Sequence, residues 1–368
     1  MLIFYLIIGI VYAFLLRTLA NSWENGNEND ELSFSNEAVT ILIPFRNEAE
    51  NLPKIFKSIE QLNHPELCIL WINDHSEDSS VSDLNKLIHS ENLRFNHKLI
   101  QSEQKGKKSA LETGVKYAES EFIITTDADC EHPSEWINSL ISRFENPSIQ
   151  MVAGPVMTKE NENFFQRFQQ IEWASILLVT QYAIANKNPL MCSGANLCYR
   201  KQAFQKVNGY QGNINILSGD DEFLLKKIVH EFGAEAINYA THKEALIFTN
   251  ASKNWTELFS QRVRWASKYK SHSRYHFLSA LLPAFLQLFW ILSIVLPISY
   301  GFEGLIFFLL TWLLKIIIEY ASLSKITKKY SLKLNSLNFC YTSLIHPYYV
   351  LRTAIGAVFG RYRWKGRS

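Results

Sequence analysis

Residues 105–130 read KGKKSALETGVKYAESEFIITTDADC, and the order of features inside them decides the fold. A basic turn, Lys105 to Lys108, leads into a helical pattern over Lys108 to Ala118. An apolar run of strand length follows over Glu121 to Thr126, and two carboxylates, Asp127 and Asp129, stand directly after it. A helix feeding straight into a strand is half of a βαβ unit, because parallel strands are joined by a crossover and not by a tight turn. The same alternation extends in both directions. Strands are expected at Val39 to Ile43, Cys68 to Ile72, His97 to Ile100 and Ile149 to Ala153, and helices at Ala49 to Leu62, Ser82 to His89 and Ser134 to Phe144, the last with Pro133 at its start. The pattern predicts an α/β domain with a mostly parallel sheet flanked by helices.

In open sheets of this kind ligands lie beyond the carboxyl ends of the strands, so acids just after a strand carry the most information. Two such turns occur, Asn73-Asp74-His75-Ser76-Glu77-Asp78 and Asp127-Ala128-Asp129. Two carboxylates one residue apart can aim at one hard cation, and a cation bridging two phosphates neutralises a departing diphosphate. The lysines one helix and one strand earlier are placed where a diphosphate must be held. Taken singly, acidic pairs and loop lysines are ordinary solvated charges.

The net charge of +2 over 368 residues removes the electrostatic case for nucleic acid as a partner. Basic residues gather only in SKITKKYSLK (324–333) and RYRWKGR (361–367), beside apolar runs, where anionic lipid headgroups are the natural contact. The five cysteines, Cys68, Cys130, Cys192, Cys198 and Cys340, lack zinc spacing and are too sparse for a disulfide framework, which points to a reducing compartment.

Both ends are apolar. Residues 2–16, LIFYLIIGIVYAFLL, extend through Thr18 to Ala20 as a retained anchor; a basic leading region and a clear small-x-small cleavage site, the marks of a signal peptide, are missing. Residues 21–37 read as a polar linker. From Phe277 two apolar helices are expected, turning at Gly301 to Glu303 and running to Tyr320. Lys325, Lys328, Lys329 and Lys333 follow, and the positive-inside rule assigns them and the domain before the hairpin to the cytoplasm, giving a multi-pass protein of the plasma (inner) membrane. The last apolar run, Leu337 to Phe359, is expected to be broken, re-entrant or interfacial at His346-Pro347, and Lys315 and Glu319 to pair on one helix face near its cytoplasmic end and snorkel there. The resulting division is an anchor (1–20), a linker (21–37), a cytosolic domain (38–275) and a membrane region with a basic tail (276–368).

The runs VTILIPFRNEAENLP (39–53), INDHSED (72–78), KGKKSAL (105–111) and ITTDADC (124–130) resemble the nucleotide-sugar-binding half of a family 2 glycosyltransferase. CSGANLCYRKQAF (192–204), SGDDEFLL (218–225) and QRVRW (261–265) are similar to the acceptor-side motifs of its membrane-embedded members, which include cellulose, hyaluronan and poly-N-acetylglucosamine synthases and ceramide glucosyltransferase. The resemblance covers about Val39 to Lys270 and implies a GT-A-type, Rossmann-like fold with transmembrane helices at both ends. It implies a nucleotide-sugar donor, a UDP-sugar favoured, a Mg²⁺ or Mn²⁺ cofactor, and an inverting transfer without a covalent intermediate.

Carried over position by position, the resemblance places Pro44, Arg46, Glu48, Asp74, Lys107, Asp127 and Ala128 on the donor, with Asp74 at the base or ribose and Asp127 at the nucleotide. Asp129 would hold the metal. Gly194, Ala195, Asn196, Asp221 and Trp265 would face the acceptor, and Asp220 would be the general base, with Gln261, Arg264 and Trp265 completing the catalytic set. Asp221 rivals Asp220 for the base, and either acid also suits a helix N-terminus. His242 is a weaker candidate for a third metal ligand, and the helix 164–185 for a membrane-interface element. His75 departs from the family, which commonly has glycine there. Three or four apolar segments are few for a polymer channel, which favours a single addition to a lipid or lipid-linked acceptor at the cytoplasmic membrane face over a processive polysaccharide synthase. Nucleotidyl transfer would not need the Gln261-to-Trp265 motif, and a non-catalytic scaffold would not need every acid.

Overall fold

The computed structural model describes residues 2–24, 32, 35–90, 92–159, 163–214, 219–267 and 274–359. Most of the expected linker, Ser218 of the SGDDEFLL run, Lys270 at the end of the resemblance and the Trp364-Lys365-Gly366-Arg367 tail lie outside the described residues. The chain forms two units: Gly26–Lys159 with Thr180–Asn250, and Met1–Asn25 with Glu160–Val179 and Ala251–Ser368. Residues 160–179 and 251–275, inside the span 38–275, therefore group with the terminal helices.

The first unit is built on a seven-stranded sheet in the order β3-β2-β1-β4-β7-β5-β8. Its strands are β1 (Val39–Phe45), β2 (Leu67–Asn73), β3 (Asn96–Gln101), β4 (Phe122–Thr125), β5 (Met151–Ala153), β7 (Leu197–Arg200) and β8 (Ile237–Tyr239). β3, β2, β1 and β4 are parallel, β7 runs antiparallel between β4 and β5, and β8 is parallel to β5. All five expected strands are present. A second sheet pairs β6 (Val156–Thr158) with β9 (Ile247–Thr249) in parallel. Every residue of β1 is buried, as a central strand covered on both faces must be. Ile41, Leu42, Ile43, Ile69, Leu70, Trp71 and Ile124 form this core, each side chain contributing roughly 1.5–3 kcal/mol on leaving water.

The crossovers are α2 (Leu52–Glu60), α3 (Ser80–Ile88) and α4 (Lys107–Tyr117). The chain moves outward from β1 to β3 and then returns through α4 to β4 on the other side of β1. β1 and β4 thus flank the point where strand order reverses, and the acids after β4 emerge there. α5 (Trp136–Ile141) follows, then the upper end of α6 (Phe164–Ala185), α7 (Lys201–Lys206) and α8 (Asp220–Phe232).

The second unit holds α1 (Leu2–Glu24), most of α6, α9 (Trp255–Ser267), α10 (Arg274–Leu292), α11 (Val295–Lys329) and α12 (Ser336–Phe359). Leu2–Trp23 and Val295–Lys329 are long and apolar enough to cross a membrane, and they carry exposed apolar side chains such as Ile3, Phe14, Ile298 and Phe302. α1 runs on to Glu24, four residues past the expected anchor end at 20. The expected turn in the hairpin falls where helical geometry is lost at Gly301, at φ 56° and ψ −130°.

Two expectations are corrected here. α12 is an unbroken helix through Pro347. Proline at 347 supplies no N–H for the carbonyl four residues back, Ser343 O, and the Lys315 ammonium donates to that oxygen at 2.8 Å instead. Lys315 therefore does not snorkel. It is fully buried and also bonds Ser343 Oγ at 3.0 Å and Glu319 Oε2 at 2.9 Å. Glu319 in turn accepts from Tyr12 of α1 and Ser343 of α12, so one ion pair ties three helices.

Candidate active site

The acid after β4 meets a lysine from the start of α4. Lys107 Nζ lies 2.6 Å from Asp127 Oδ1 and 3.0 Å from Asp220 Oδ2. Asp127 and Asp220, far apart in the chain, thus share one ammonium. Local geometry explains the meeting. Gly106 precedes α4 at φ 121°, a conformation natural to glycine, and its N–H donates to Asp74 Oδ1 at 2.7 Å. The Asp74 carboxylate after β2 therefore sets where Lys107 begins its helix. On the other side Gly219, at φ 82°, leads into α8 so that Asp220 is its first helical residue.

Gly194 lies against this helix start. A Cβ placed there would meet Asp220 Oδ2 at 2.7 Å, and the Gly194 N–H donates to Asp221 Oδ2 at 3.1 Å. Asp221 Oδ1 accepts the Glu222 N–H at 2.7 Å, so Asp221 is engaged with local backbone. That assigns Asp221 the helix-start role and leaves Asp220 facing Lys107. Thr125 of β4 donates to Gly194 O at 2.8 Å, joining this loop to the sheet.

Burial would lower the Lys107 ammonium, but the charges of Asp127 and Asp220 outweigh it and hold it above its ordinary value. Asp129 behaves in the opposite way. Burial, with the charges of Asp127 and Glu48, pushes its carboxyl up to about 6. Its Oδ2 accepts from Thr249 of β9 at 3.0 Å, a partner that no motif announced.

Asp127 and Asp129 present hard oxygen donors, and the buried Asp129 carboxyl lies near the charges of Asp127 and Glu48, a chemistry that fits a divalent cation. Among the described residues no group of three or more His, Cys, Asp or Glu is arranged to hold a metal ion. A Mg²⁺-like ion needs only one or two carboxylates when phosphate oxygens and water complete its shell. His242 is not among the donors: its Nδ1 accepts the Glu244 N–H at 3.2 Å and caps the turn Lys243–Ala245.

The remaining residues of the donor set lie at the same sheet end. Pro44 is in β1, and Arg46 follows it 3.6 Å from Glu77. The Glu48 carboxylate accepts from Asn51 Nδ2 at 2.7 Å, and Ala128 is buried between the two acids. His75 sits at φ 58°, the left-handed region where the family's glycine is at ease, and is held by Gln101 at 3.0 Å.

Asn196 is a correction. It is fully buried, its amide donates to Pro155 O and Ala245 O at 2.8 Å each, and its Oδ1 accepts from Trp136 at 2.9 Å. A side chain with every polar atom committed in the core joins β5, β7 and the loop after β8 and has no polar atom left to offer an acceptor. Ala195 beside it is also buried. Gln261, Arg264 and Trp265 are partly exposed on α9, in the unit of terminal helices.

A family model, Glycosyl transferase family 2, matches residues 40–207. The chain is 25% identical over 269 residues to a poly-beta-1,6-N-acetyl-D-glucosamine synthase of Staphylococcus epidermidis, covering 71% of this chain and 61% of that protein. It is 24% identical over 268 residues to the synthase of the same name from Staphylococcus aureus (strain COL), with the same coverage. The chain thus spans about three fifths of the relatives' length. Among solved structures, a mannosyltransferase of Pyrobaculum calidifontis in complex with GDP-Man and Mn²⁺ superposes with a TM-score of 0.57 at 14% identity, over 97% of this chain and 96% of that one. At that identity the likeness speaks for the GT-A fold alone.

Proposed function

From a chain that carries a family 2 glycosyltransferase domain, we propose an inverting, metal-assisted transfer of a sugar from a nucleoside-diphosphate sugar to the hydroxyl of a lipid or lipid-linked acceptor, at the cytoplasmic face of a membrane. The observation that carries this reading is the single ammonium of Lys107 between Asp127 and Asp220, which brings the donor-side and acceptor-side acids within one sugar's reach.

Asp127 and Asp129 would hold Mg²⁺ or Mn²⁺, which when bound neutralises the departing diphosphate. The Mn²⁺ and GDP-Man of the Pyrobaculum enzyme agree with that assignment. Asp74, Arg46 and Glu48 line the donor side. When a diphosphate arrives, Lys107 has a stronger anion to meet, and its hold on Asp220 loosens. Asp220 then accepts the proton of the acceptor hydroxyl as that oxygen bonds to the anomeric carbon. The bond from that carbon to the diphosphate breaks, and the nucleoside diphosphate carries away the electron pair. One displacement on the face opposite the leaving group inverts the centre. To Gln261, Arg264 and Trp265 we assign the acceptor-side role that their motif implies, Trp265 by stacking and Arg264 by charge.

The two span-length helices and the lysines at 325, 328, 329 and 333 support a cytoplasmic domain on a membrane anchor. A second reading, extension of a polysaccharide, is favoured by the staphylococcal relatives, which are poly-beta-1,6-N-acetyl-D-glucosamine synthases.

The test is to incubate detergent-purified protein with UDP-glucose, UDP-N-acetylglucosamine or GDP-mannose, Mg²⁺ or Mn²⁺, and a native lipid extract, with mass spectrometry as the readout. A lipid gaining one sugar supports the first reading, and a polymer the second. No metal-dependent consumption of any donor contradicts both.

A further inference from the structure

Within the motif on α9 one residue points inward. Arg262 is 5% exposed and forks onto Glu172 of α6, Nε to Oε1 at 2.8 Å and Nη2 to Oε2 at 2.7 Å. Its Nη1 donates to the side chain of Gln261. The guanidinium also stands 4.2 Å from the centre of the Trp265 ring and 5.4 Å from that of Trp173, and these two indoles meet edge-on at 5.5 Å. Tyr349 of α12 donates to Glu172 Oε1, with its ring packed on Phe168 and Phe259.

An ion pair is a poor way to glue two helices, because desolvating both charges consumes most of what the attraction supplies, and apolar residues of equal volume hold at least as well. What a planar guanidinium adds is direction. Its fork is fixed by the carboxylate, and its remaining edge and face then fix whatever lies against them. Here those are an amide and an indole of the acceptor-side motif, while the Tyr349 hydroxyl keeps the carboxylate from rotating away.

We infer that Arg262 is a positioning residue: with Glu172 and Tyr349 it orients Gln261 and Trp265, so that transfer to an acceptor depends on it and nucleotide binding does not. The inference rests on the acceptor-side role given above to Gln261 and Trp265. Misplacement of a substrate-holding group by an ångström costs about a hundredfold in rate, and a loosened one less.

The experiment compares wild type with Arg262→Lys, Glu172→Gln and Tyr349→Phe in detergent. Three quantities are read with the same three nucleotide-sugars and Mn²⁺: donor hydrolysis without acceptor, sugar transfer to the lipid extract, and affinity for the free nucleoside diphosphate. The expected result is a ratio of transfer to hydrolysis lowered about tenfold in Arg262→Lys and Glu172→Gln and about threefold in Tyr349→Phe, with nucleotide affinity unchanged. Tyr349→Phe removes one hydroxyl and keeps the packed ring, so it reports even where the other two do not fold. Parallel loss of transfer and hydrolysis, or an unchanged ratio, overturns the inference while wild-type transfer leaves the functional reading standing. Wild type that transfers from no donor overturns the functional reading and the inference with it.

Discussion

Lys107 and Lys315 are both paired with carboxylates, and they differ in what surrounds them. Lys107, at the end of the sheet, keeps 23% of its side chain exposed and pairs with Asp127 and Asp220. Lys315, between helices, is fully buried and closed by Glu319, Ser343 Oγ and the Ser343 carbonyl that Pro347 leaves without a donor. The two acids at Lys107 are open to a better partner, and the one acid at Lys315 has no room for another. An ammonium at an open strand end holds its two carboxylates near one another while leaving them within reach of solvent. A sealed one is costly to remove, because its acid is then buried without a cation.

This contrast is broken most severely by removing the acids at the open end. Asp129→Ala is expected to cost several powers of ten in sugar transfer with little change in thermal unfolding, checked by donor turnover and a melting curve on the same sample. At the sealed end the effect falls on stability. Lys315→Met leaves Glu319 buried without its cation and is expected to cost about 3–5 kcal/mol, read from denaturant unfolding in detergent, and the double variant with Glu319→Gln should recover part of it. If Lys315→Met instead leaves stability intact and lowers transfer, the two lysines are not different in kind. Lys107→Met should lower transfer about a hundredfold, because the diphosphate loses its cation, without the loss of stability seen at 315.

The smallest effect sharpens the comparison through pH. His132, buried between Thr126 and Ser58 and stacked 4.1 Å from Trp136, is held down to about 3 by burial alone. The unfolded chain takes up this proton below about 6.5 and the folded one does not, so the stability due to neutral His132 is present above 6.5 and is lost as pH falls towards 3. The slope is up to about 1.4 kcal/mol per pH unit, and His132→Asn should remove it from the stability profile.

The parallel half of the fold was legible because each strand is a run of apolar residues bounded by a helix of clear period, as in Val39–Phe45 and Leu67–Asn73. β7 was not, since four residues inside CSGANLCYRKQAF carry too little pattern to announce an antiparallel strand between β4 and β5. The three-residue strands β6, β8 and β9 failed for the same reason.

In the site, Asp127 and Asp220 could be named from their motifs, but their common contact with Lys107 needed the topology. Asn196 and Lys315 were misjudged because their partners, Trp136 and Ser343 among them, are distant in sequence. Arg262 and Glu172 left one sign: an acid within the largely apolar helix FFQRFQQIEWASILLVTQYAIA must have a cation.

The most direct measurement is sugar transfer by Asp220→Asn alongside its affinity for nucleoside diphosphate and Mn²⁺. The account predicts that the amide variant binds both as wild type does and transfers sugar at least about a thousandfold more slowly, because only the proton acceptor is gone. Near-wild-type transfer, or loss of nucleotide binding in step with transfer, would contradict Asp220 as the base that meets the incoming hydroxyl.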